Sequence, residues 1–220
     1  MKIFLFLLSA INFSNALAND CASSLMICVN NDGSFSSNRN AQVSYQRPVE
    51  VKQKRNPVTQ NSGKALDKST RSLEAKNYIA QCLPNEYHAI MQKIVAHESG
   101  ANQFAIGVNG NYGRYKQPQR KEEAIDMAKQ LMSQGRSFDM GFAQINSQHL
   151  KPEGFLTKLG ISISDIFEPC VNLRAGANIY GNAAIKNGGD VKVALSIYNT
   201  GTKSNGITNG YVNKVLGSNL

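Results

Sequence analysis

An apolar helical stripe that ends in a glutamate is the feature that most constrains this sequence. The stripe ends in His97-Glu98-Ser99-Gly100, where the glycine is expected to cap the helix. Helical spacing puts Glu98 on the same face as the apolar residues, so the helix must pack against a core and carry a carboxyl group into it. The apolar residues on that face are Tyr87, Ile90, Met91, Ile94 and Val95.

Such a position changes the acid strength of Glu98. Burial disfavours the charged carboxylate and raises its pKa, and the negative end of the helix dipole acts in the same direction. A carboxyl group that stays partly protonated near neutral pH is suited to general acid catalysis. The local sequence leaves one alternative open, in which Glu98 turns outward at a frayed helix end.

The first 18 residues predict export. Lys2 is followed by the apolar run Ile3 to Ile11, which is too short to span a bilayer, and Ala16-Leu17-Ala18 is typical of a signal-peptide cleavage site. We therefore expect cleavage before Asn19, a periplasmic location, and no stable membrane insertion after cleavage.

Export makes disulfides the expected state of the four cysteines. The sequence favours Cys21–Cys28, which closes a small loop, and Cys82–Cys170, which joins the start of the Glu98 helix to a later helix. Zinc is the alternative, but no C-x-x-C or H-E-x-x-H spacing supports it, so no metal or other cofactor is expected. The three histidines also lack the spacing of a metal site or a catalytic triad: His88, His97 and His149.

The formal net charge is +9, which indicates a polyanionic partner such as nucleic acid, an anionic membrane face or an acidic cell-wall polymer. Between Arg39 and Lys76 there are nine basic and three acidic residues, interrupted by Pro48 and Pro57. Such a segment buries too little apolar surface to fold alone. We interpret residues 19–76 as a cysteine-bounded segment followed by a flexible basic linker, with a solvated spacer favoured over electrostatic attachment.

Residues 77–220 are predicted to form one compact domain of α+β class, mainly α. A short β-hairpin or irregular lobe is expected within 104–115, and a loop over 136–146. The Glu98 helix is expected to have its apolar run from near Tyr87 and Pro84 in its first turn. Further helices are expected at 118–134, 169–186, 191–199 and 210–216, with one or two more within 147–159.

Three segments, taken in order, resemble the signature blocks of the lytic transglycosylase (SLT) domain. Glu98-Ser99-Gly100 corresponds to E-S-G, residues 141–146 (GFAQIN) to G-L-M-Q-I-N, and residues 194–201 (ALSIYNTG) to A-x-x-x-Y-N-x-G. Further features, among them Ser137-Phe138-Asp139 and residues 169–173 (PCVNL), are similar to the VirB1-like branch, whose members accompany type IV secretion and conjugation machines. The resemblance covers about residues 77–220 and implies a lysozyme-like domain with a small β-hairpin lobe.

The resemblance also implies an activity, cleavage of the β-1,4 bond between N-acetylmuramic acid and N-acetylglucosamine in peptidoglycan without water. Glu98 would first donate a proton to the leaving oxygen and then take the proton of the sugar's own 6-hydroxyl, leaving a 1,6-anhydromuramoyl end. The implied partners are peptidoglycan glycan strands and secretion or conjugation subunits, with no nucleic acid, and we expect a monomer. The residues implied to contact substrate are Ser99, Gln144, Asn146, Tyr198 and Asn199.

Each of these contacts has an ordinary structural alternative. Ser99 could bond its own helix, Gln144 and Asn146 could satisfy their own loop, and Tyr198 could be a buried tyrosine with a satisfied hydroxyl. Asp139 is the candidate for a second carboxylate and is expected to hydrogen-bond its loop; otherwise the enzyme would be a hydrolytic muramidase. A wall-binding assembly factor with little activity is the non-enzymatic alternative.

Overall fold

The computed structural model describes residues 67–110 and 115–220, together with the backbone of 27–29 and 35–37. The chain divides into two units, Met1–Val49 and Glu50–Leu220. In the first unit, strands β1 (Ile27–Val29) and β2 (Phe35–Ser37) pair antiparallel. The predicted signal peptide at 1–18 and the predicted Cys21–Cys28 bridge lie outside what is described. No helix in the described part of the chain has the length and apolar content to cross a membrane.

The second unit is mainly helical, as predicted, and α5 occupies the predicted range 169–186. Pro169 suits the first helical position because a backbone N–H there would have no partner within the helix. Beyond the other end, Gly188 and Gly189 adopt φ of 65° and 81°. Helix α7 was not predicted. The helices are α1 (Lys68–Cys82), α2 (Asn85–Glu98), α3 (Lys121–Ser133), α4 (Phe155–Lys158), α5 (Pro169–Lys186), α6 (Val191–Thr200), α7 (Asn205–Thr208) and α8 (Tyr211–Gly217), with 3₁₀ turns at Ser147–Leu150 and Asp165–Phe167.

A three-stranded antiparallel sheet forms the small β lobe. Its strands are β3 (Ile106–Val108), β4 (Phe138–Met140) and β5 (Ile145–Asn146), in the order β3-β4-β5. The predicted small β lobe is therefore present, but its strand β3 pairs with the distant β4. The segment 136–146 is not simply a loop, since it supplies both other strands. The local sequence does not identify these strand partners, because the position of β4 depends on burial of Phe138 and Met140 in the core.

Helix α1 begins at Lys68, before the predicted domain boundary at 77. Asp67 caps the helix by accepting hydrogen bonds from the amides of Ser69 and Thr70, and Ala75 is fully buried. The last part of the predicted linker therefore belongs to this helix. Average composition does not reveal this helix, because its signals are a single capping residue, Asp67, and the helical spacing of Ala75 and Ile79.

The predicted disulfide between Cys82 and Cys170 is confirmed. Cys82 is the last residue of α1, and not the start of the Glu98 helix, so the bridge joins α1 to the first turn of α5. Next to it the Nε of Arg174 donates to the carbonyl of Cys82 at 2.7 Å. These contacts fix the two helices on which the rest of the unit packs.

Helix α5 is the centre of the core and contacts α1, α2 and α6. It approaches the segment 141–144 closely at Gly176, where an added Cβ would lie 2.6 Å from Ala143 Cβ and 3.1 Å from Met91 Cε. This close packing brings the end of α2, the segment 141–144 and helix α6 to one place.

Candidate active site

Glu98 is the last residue of α2, and it lies where the sequence predicted. The amide of Ser99 donates to the carbonyl of Val95 at 3.2 Å, and the chain then leaves the helix through Gly100 and Ala101, with φ of 56° and 61°. Met91, Ile94 and Val95 are fully buried, and Glu98 continues their side of α2 while staying partly accessible. The apolar stripe and its end are thus confirmed.

Burial raises the pKa of Glu98 from 4.5 to about 7. A hydrogen bond from Tyr211 acts in the opposite direction, and the negative charge of Asp139 raises the pKa further. At neutral pH roughly half of the molecules therefore carry a proton on Glu98. The predicted weak acid is confirmed, and the alternative of an outward-facing glutamate is not what the structure shows.

Tyr211 is the residue that the sequence analysis missed. It is the first residue of α8, is 7% exposed, and donates its hydroxyl hydrogen bond to Oε1 of Glu98. Burial raises the pKa of this hydroxyl, and the charge of Glu98 raises it further, so it remains a donor at all physiological pH values. The ring of His97 meets the Tyr211 ring edge-on, with centroids 5.2 Å apart. The sequence predicts a short final helix over 210–216 but not this contact.

Tyr198 lies close to Glu98 but makes a different contact. Its hydroxyl donates to the carbonyl of Ala143 at 2.5 Å, so it secures the segment 141–144. Burial raises its pKa well above the usual value, and the charge of Glu98 contributes to that rise. The hydrogen bond to the Glu98 carboxyl comes from Tyr211 and not from Tyr198. Contact between Tyr198 and substrate stays a prediction.

The segment 141–144 is held rigidly by Asn172 of α5. The buried Asn172 side chain accepts from the amide of Ala143 at 2.8 Å and donates to the carbonyls of Met140 and Ile166 at 2.9 and 3.0 Å. Gly141, at φ 74°, leaves room for it, because a Cβ there would lie 2.2 Å from Asn172 Nδ2. Tyr198 and Asn172 therefore fix the segment from two sides.

Three of the predicted substrate contacts make local hydrogen bonds. Ser99 Oγ donates to the carbonyl of Val95 at 3.1 Å. Gln144, at φ 46°, donates to the carbonyl of Gly141 at 2.9 Å. Asn199 is exposed, and its Oδ1 accepts from the side chain of Asn209 at 3.3 Å. The bonds of Ser99 and Gln144 correspond to their structural alternatives, and the substrate contacts of all three residues stay predictions.

Asp139 and Asn146 form a polar cluster on the sheet. Asp139 accepts from the side-chain amides of Asn146 at 2.7 Å and Asn109 at 3.0 Å, and Asn146 in turn caps the following 3₁₀ turn by accepting from the amide of Gln148. Burial raises the pKa of Asp139, whereas the two amides lower it. The expectation that Asp139 is held by local hydrogen bonds is confirmed, although it lies in a strand. Contact between Asn146 and substrate stays a prediction.

The other histidines lie in structural contacts. Nε2 of His88 is 2.9 Å from the carbonyl oxygen of Leu83, and His149 packs edge-on against Phe155 with ring centroids 4.9 Å apart. Within residues 67–110 and 115–220 no three of the His, Cys, Asp and Glu side chains form a group that could hold a metal ion.

Comparisons with known proteins found a matching family and similar sequences. Residues 79–219 match the transglycosylase SLT domain. A type IV secretion system protein virB1 of Brucella abortus biovar 1 (strain 9-941) is 36% identical over 152 residues, covering 63% of this chain and 60% of the relative. A protein virB1 of Agrobacterium fabrum (strain C58 / ATCC 33970) is 28% identical over 148 residues, covering 64% and 58%.

The aligned part of the chain thus spans about 60% of the length of these curated relatives. No solved structure matches the chain significantly. The family match takes in α2 from its first residue, the sheet, α5, α6 and α8, and so every element that contributes a side chain around Glu98. Because that match covers well over half of the sequence, this chain belongs to the transglycosylase SLT domain family.

Proposed function

We propose that this protein is a peptidoglycan lytic transglycosylase, which cleaves the bond between N-acetylmuramic acid and N-acetylglucosamine without water. The observation that carries the proposal is Glu98, a carboxyl group with a pKa of about 7 held by the Tyr211 hydroxyl at the end of α2. Membership of the transglycosylase SLT domain family supports the same reaction. A weak acid of this kind is protonated often enough to donate and is basic enough, once ionised, to accept a proton.

In the first step Glu98 acts as the acid. Tyr211 occupies Oε1, which leaves Oε2 to carry the proton toward the substrate. Glu98 gives this proton to the oxygen of the leaving N-acetylglucosamine as the bond between that oxygen and C1 of the muramoyl sugar breaks. The hydrogen bond from Tyr211 stabilises the carboxylate that remains, and so favours the transfer.

In the second step the Glu98 carboxylate acts as the base. It takes the proton of the muramoyl 6-hydroxyl while the oxygen of that hydroxyl bonds to C1, which closes the 1,6-anhydro ring. Glu98 is protonated again at the end, and no water is consumed. One carboxyl group suffices because the substrate supplies its own nucleophile, whereas ordinary glycosidases need two carboxyl groups.

The reaction is tested with purified protein and isolated peptidoglycan. Glu98→Gln keeps an oxygen that can accept from Tyr211 but cannot transfer a proton, so we expect a loss of at least about a hundredfold in activity. Glu74→Gln, at an exposed position on α1, is the matched control and should retain activity. Mass spectrometry of the products should show anhydromuramoyl ends. Cleavage by Glu98→Gln at the control's rate would contradict the proposal.

A hydrolytic muramidase is the second candidate, and the position of Asp139 favours it. This second carboxyl group is close enough to raise the pKa of Glu98, and two amides hold it in place. Products with reducing ends and no anhydro sugar, together with loss of activity in Asp139→Asn, would support hydrolysis. Anhydro products formed at the normal rate by Asp139→Asn would exclude a role for this residue as nucleophile.

We further propose that the protein acts in the periplasm and opens the wall for a type IV secretion or conjugation apparatus. The names of the virB1 relatives and the predicted signal peptide support this role. Complementation of a deletion strain for substrate transfer tests it, with Glu98→Gln compared against Glu74→Gln. Full complementation by Glu98→Gln would instead support a wall-binding assembly factor whose cleavage activity is dispensable.

A further inference from the structure

Side-chain hydrogen bonds join helices α2 and α8 at two places, and one of these places is the proposed catalytic group. At one end Tyr211 donates to Glu98, and at the other Lys93 of α2 reaches the last turn of α8. We propose that Lys93 is a positioning residue, which holds Tyr211 in hydrogen-bond contact with Glu98 by fixing the carboxyl-terminal end of α8 against α2. The role assigned to Tyr211 in catalysis rests on the proposed function, but the contact itself does not.

The contacts of Lys93 are directed at the end of α8 and at the residues after it. Its ammonium group donates to the carbonyl of Leu216 at 2.8 Å and to that of Ser218 at 3.3 Å, with the side-chain oxygen of Asn219 at 3.4 Å. The last carbonyls of a helix have no partner within the helix, and a cation there also interacts favourably with the negative end of the dipole. Lys93 thus supplies from α2 the cap that α8 needs.

The register of the two helices makes Lys93 and Tyr211 parts of one clamp. Five residues separate the two contacts on each helix, from 93 to 98 on α2 and from 211 to 216 on α8. In an α-helix this corresponds to about 7.5 Å along the axis. The antiparallel helices are therefore joined by a side-chain hydrogen bond at each end. Val212 and Val215 are buried between these two bonds. Releasing the Lys93 end leaves α8, a helix of seven residues, held to α2 by the Tyr211 hydrogen bond at one end and by apolar contact.

The charged and titratable groups around the site do not duplicate this clamp. The groups that act on the pKa of Glu98 are Tyr211 of α8 and Asp139 of β4. Burial lowers the pKa of His97, and the positive charge of Lys214 of α8 lowers it further. The groups that face the Glu98 carboxyl or its Tyr211 partner are Tyr211 of α8, Asp139 of β4, Tyr198 of α6 and His97 of α2.

The test follows the titration of Glu98 directly, by carbon-13 NMR of glutamate carboxyl groups in the full chain. The Glu98 signal is assigned by its loss in Glu98→Gln. Tyr211→Phe removes a hydrogen bond to the carboxylate, so the midpoint should move up by about one pH unit. Lys93→Met, which keeps the length of the side chain but not its donors, should move the midpoint in the same direction by at least half as much. Lys93→Arg should restore it.

A double variant separates positioning from the loss of a positive charge. If Lys93 acts by holding Tyr211, then Lys93→Met has no further effect on the midpoint in the Tyr211→Phe background. A shift that persists in that background is a direct charge effect and overturns the proposal, as does a Lys93→Met midpoint equal to that of the wild type. If Lys93→Met does not fold, Lys93→Gln, which keeps one donor, is measured in the same way.

The titration does not require turnover, so it is independent of the proposed reaction. If the wild-type protein fails to cleave peptidoglycan, the proposed function is wrong, and the NMR midpoints still decide the role of Lys93. If the wild type is active, the upper limb of its pH–rate profile should move with the NMR midpoint in Lys93→Met. A purely structural role would lower thermal stability without moving either quantity.

Discussion

Replacing Glu98 with glutamine should stabilise the protein at neutral and higher pH while removing its proposed activity. In the folded protein the pKa of Glu98 is about 7, against 4.5 for an unperturbed glutamate. Between about pH 4.5 and pH 7 the folded state therefore keeps a proton on Glu98 that the unfolded state has already lost. Stability contributed by the protonated group is fully present below about pH 4.5 and is lost as the pH rises through 7.

The magnitude follows from the difference between the two pKa values. Each pKa unit is worth about 1.4 kcal/mol, so ionisation of Glu98 lowers the free energy of unfolding by about 3 kcal/mol between about pH 4.5 and pH 8. Glutamine has no charge to desolvate and can still accept the hydrogen bond from Tyr211. We therefore expect Glu98→Gln to match the wild type near pH 4.5 and to exceed its stability by about 3 kcal/mol near pH 8.

The assay is urea unfolding at several pH values, with the free energy of unfolding extrapolated to water for each protein. Glu74→Gln removes an exposed carboxylate from α1 and serves as the control for loss of one negative charge. Its difference from the wild type should not grow with pH in this manner. A difference between Glu98→Gln and the wild type that stays constant from about pH 4.5 to pH 8 would refute the argument that burial makes Glu98 a weak acid.

Three further predictions concern the framework around the site. Replacing both Cys82 and Cys170 by serine should lower the free energy of unfolding by about 4 kcal/mol, measured by denaturation, since the bridge closes a separation of 88 residues. Gly176→Ala should cost about 2 kcal/mol in the same assay and lower activity, because its Cβ would lie 2.6 Å from that of Ala143. Asn172→Ala should lower the melting temperature strongly, with a loss of about 3 kcal/mol, since three buried backbone groups lose their partner.

Two helices show what the sequence could predict. The range 169–186 was predicted correctly because Pro169 opens the helix and Asn187-Gly188-Gly189 closes it. The end of α2 at Glu98 was predicted because the apolar stripe and Gly100 are both local signals. The weak acid at that position followed from the same stripe, since burial of a carboxyl group is the cause of its raised pKa.

The sheet and the start of α1 show where local signals were insufficient. Strand β3 pairs with β4, and no residue within 104–115 indicates that partner. Helix α1 begins at Lys68 inside a segment whose composition is typical of a linker. In both cases the apolar residues are few, and their burial depends on elements that are distant in the sequence.

The sequence by itself determined that the chain carries a helix-end carboxyl group in the pattern of the SLT domain, because helical period, caps and ordered blocks are local properties. Only the tertiary structure decided which hydroxyl meets that group. Two tyrosines were available on packed helices, and Tyr198 bonds Ala143 while Tyr211 bonds Glu98. The register of α8 against α2, which Lys93 fixes at the far end of α8, determines which tyrosine meets Glu98. The register between two helices depends on how they pack, so local sequence does not determine it.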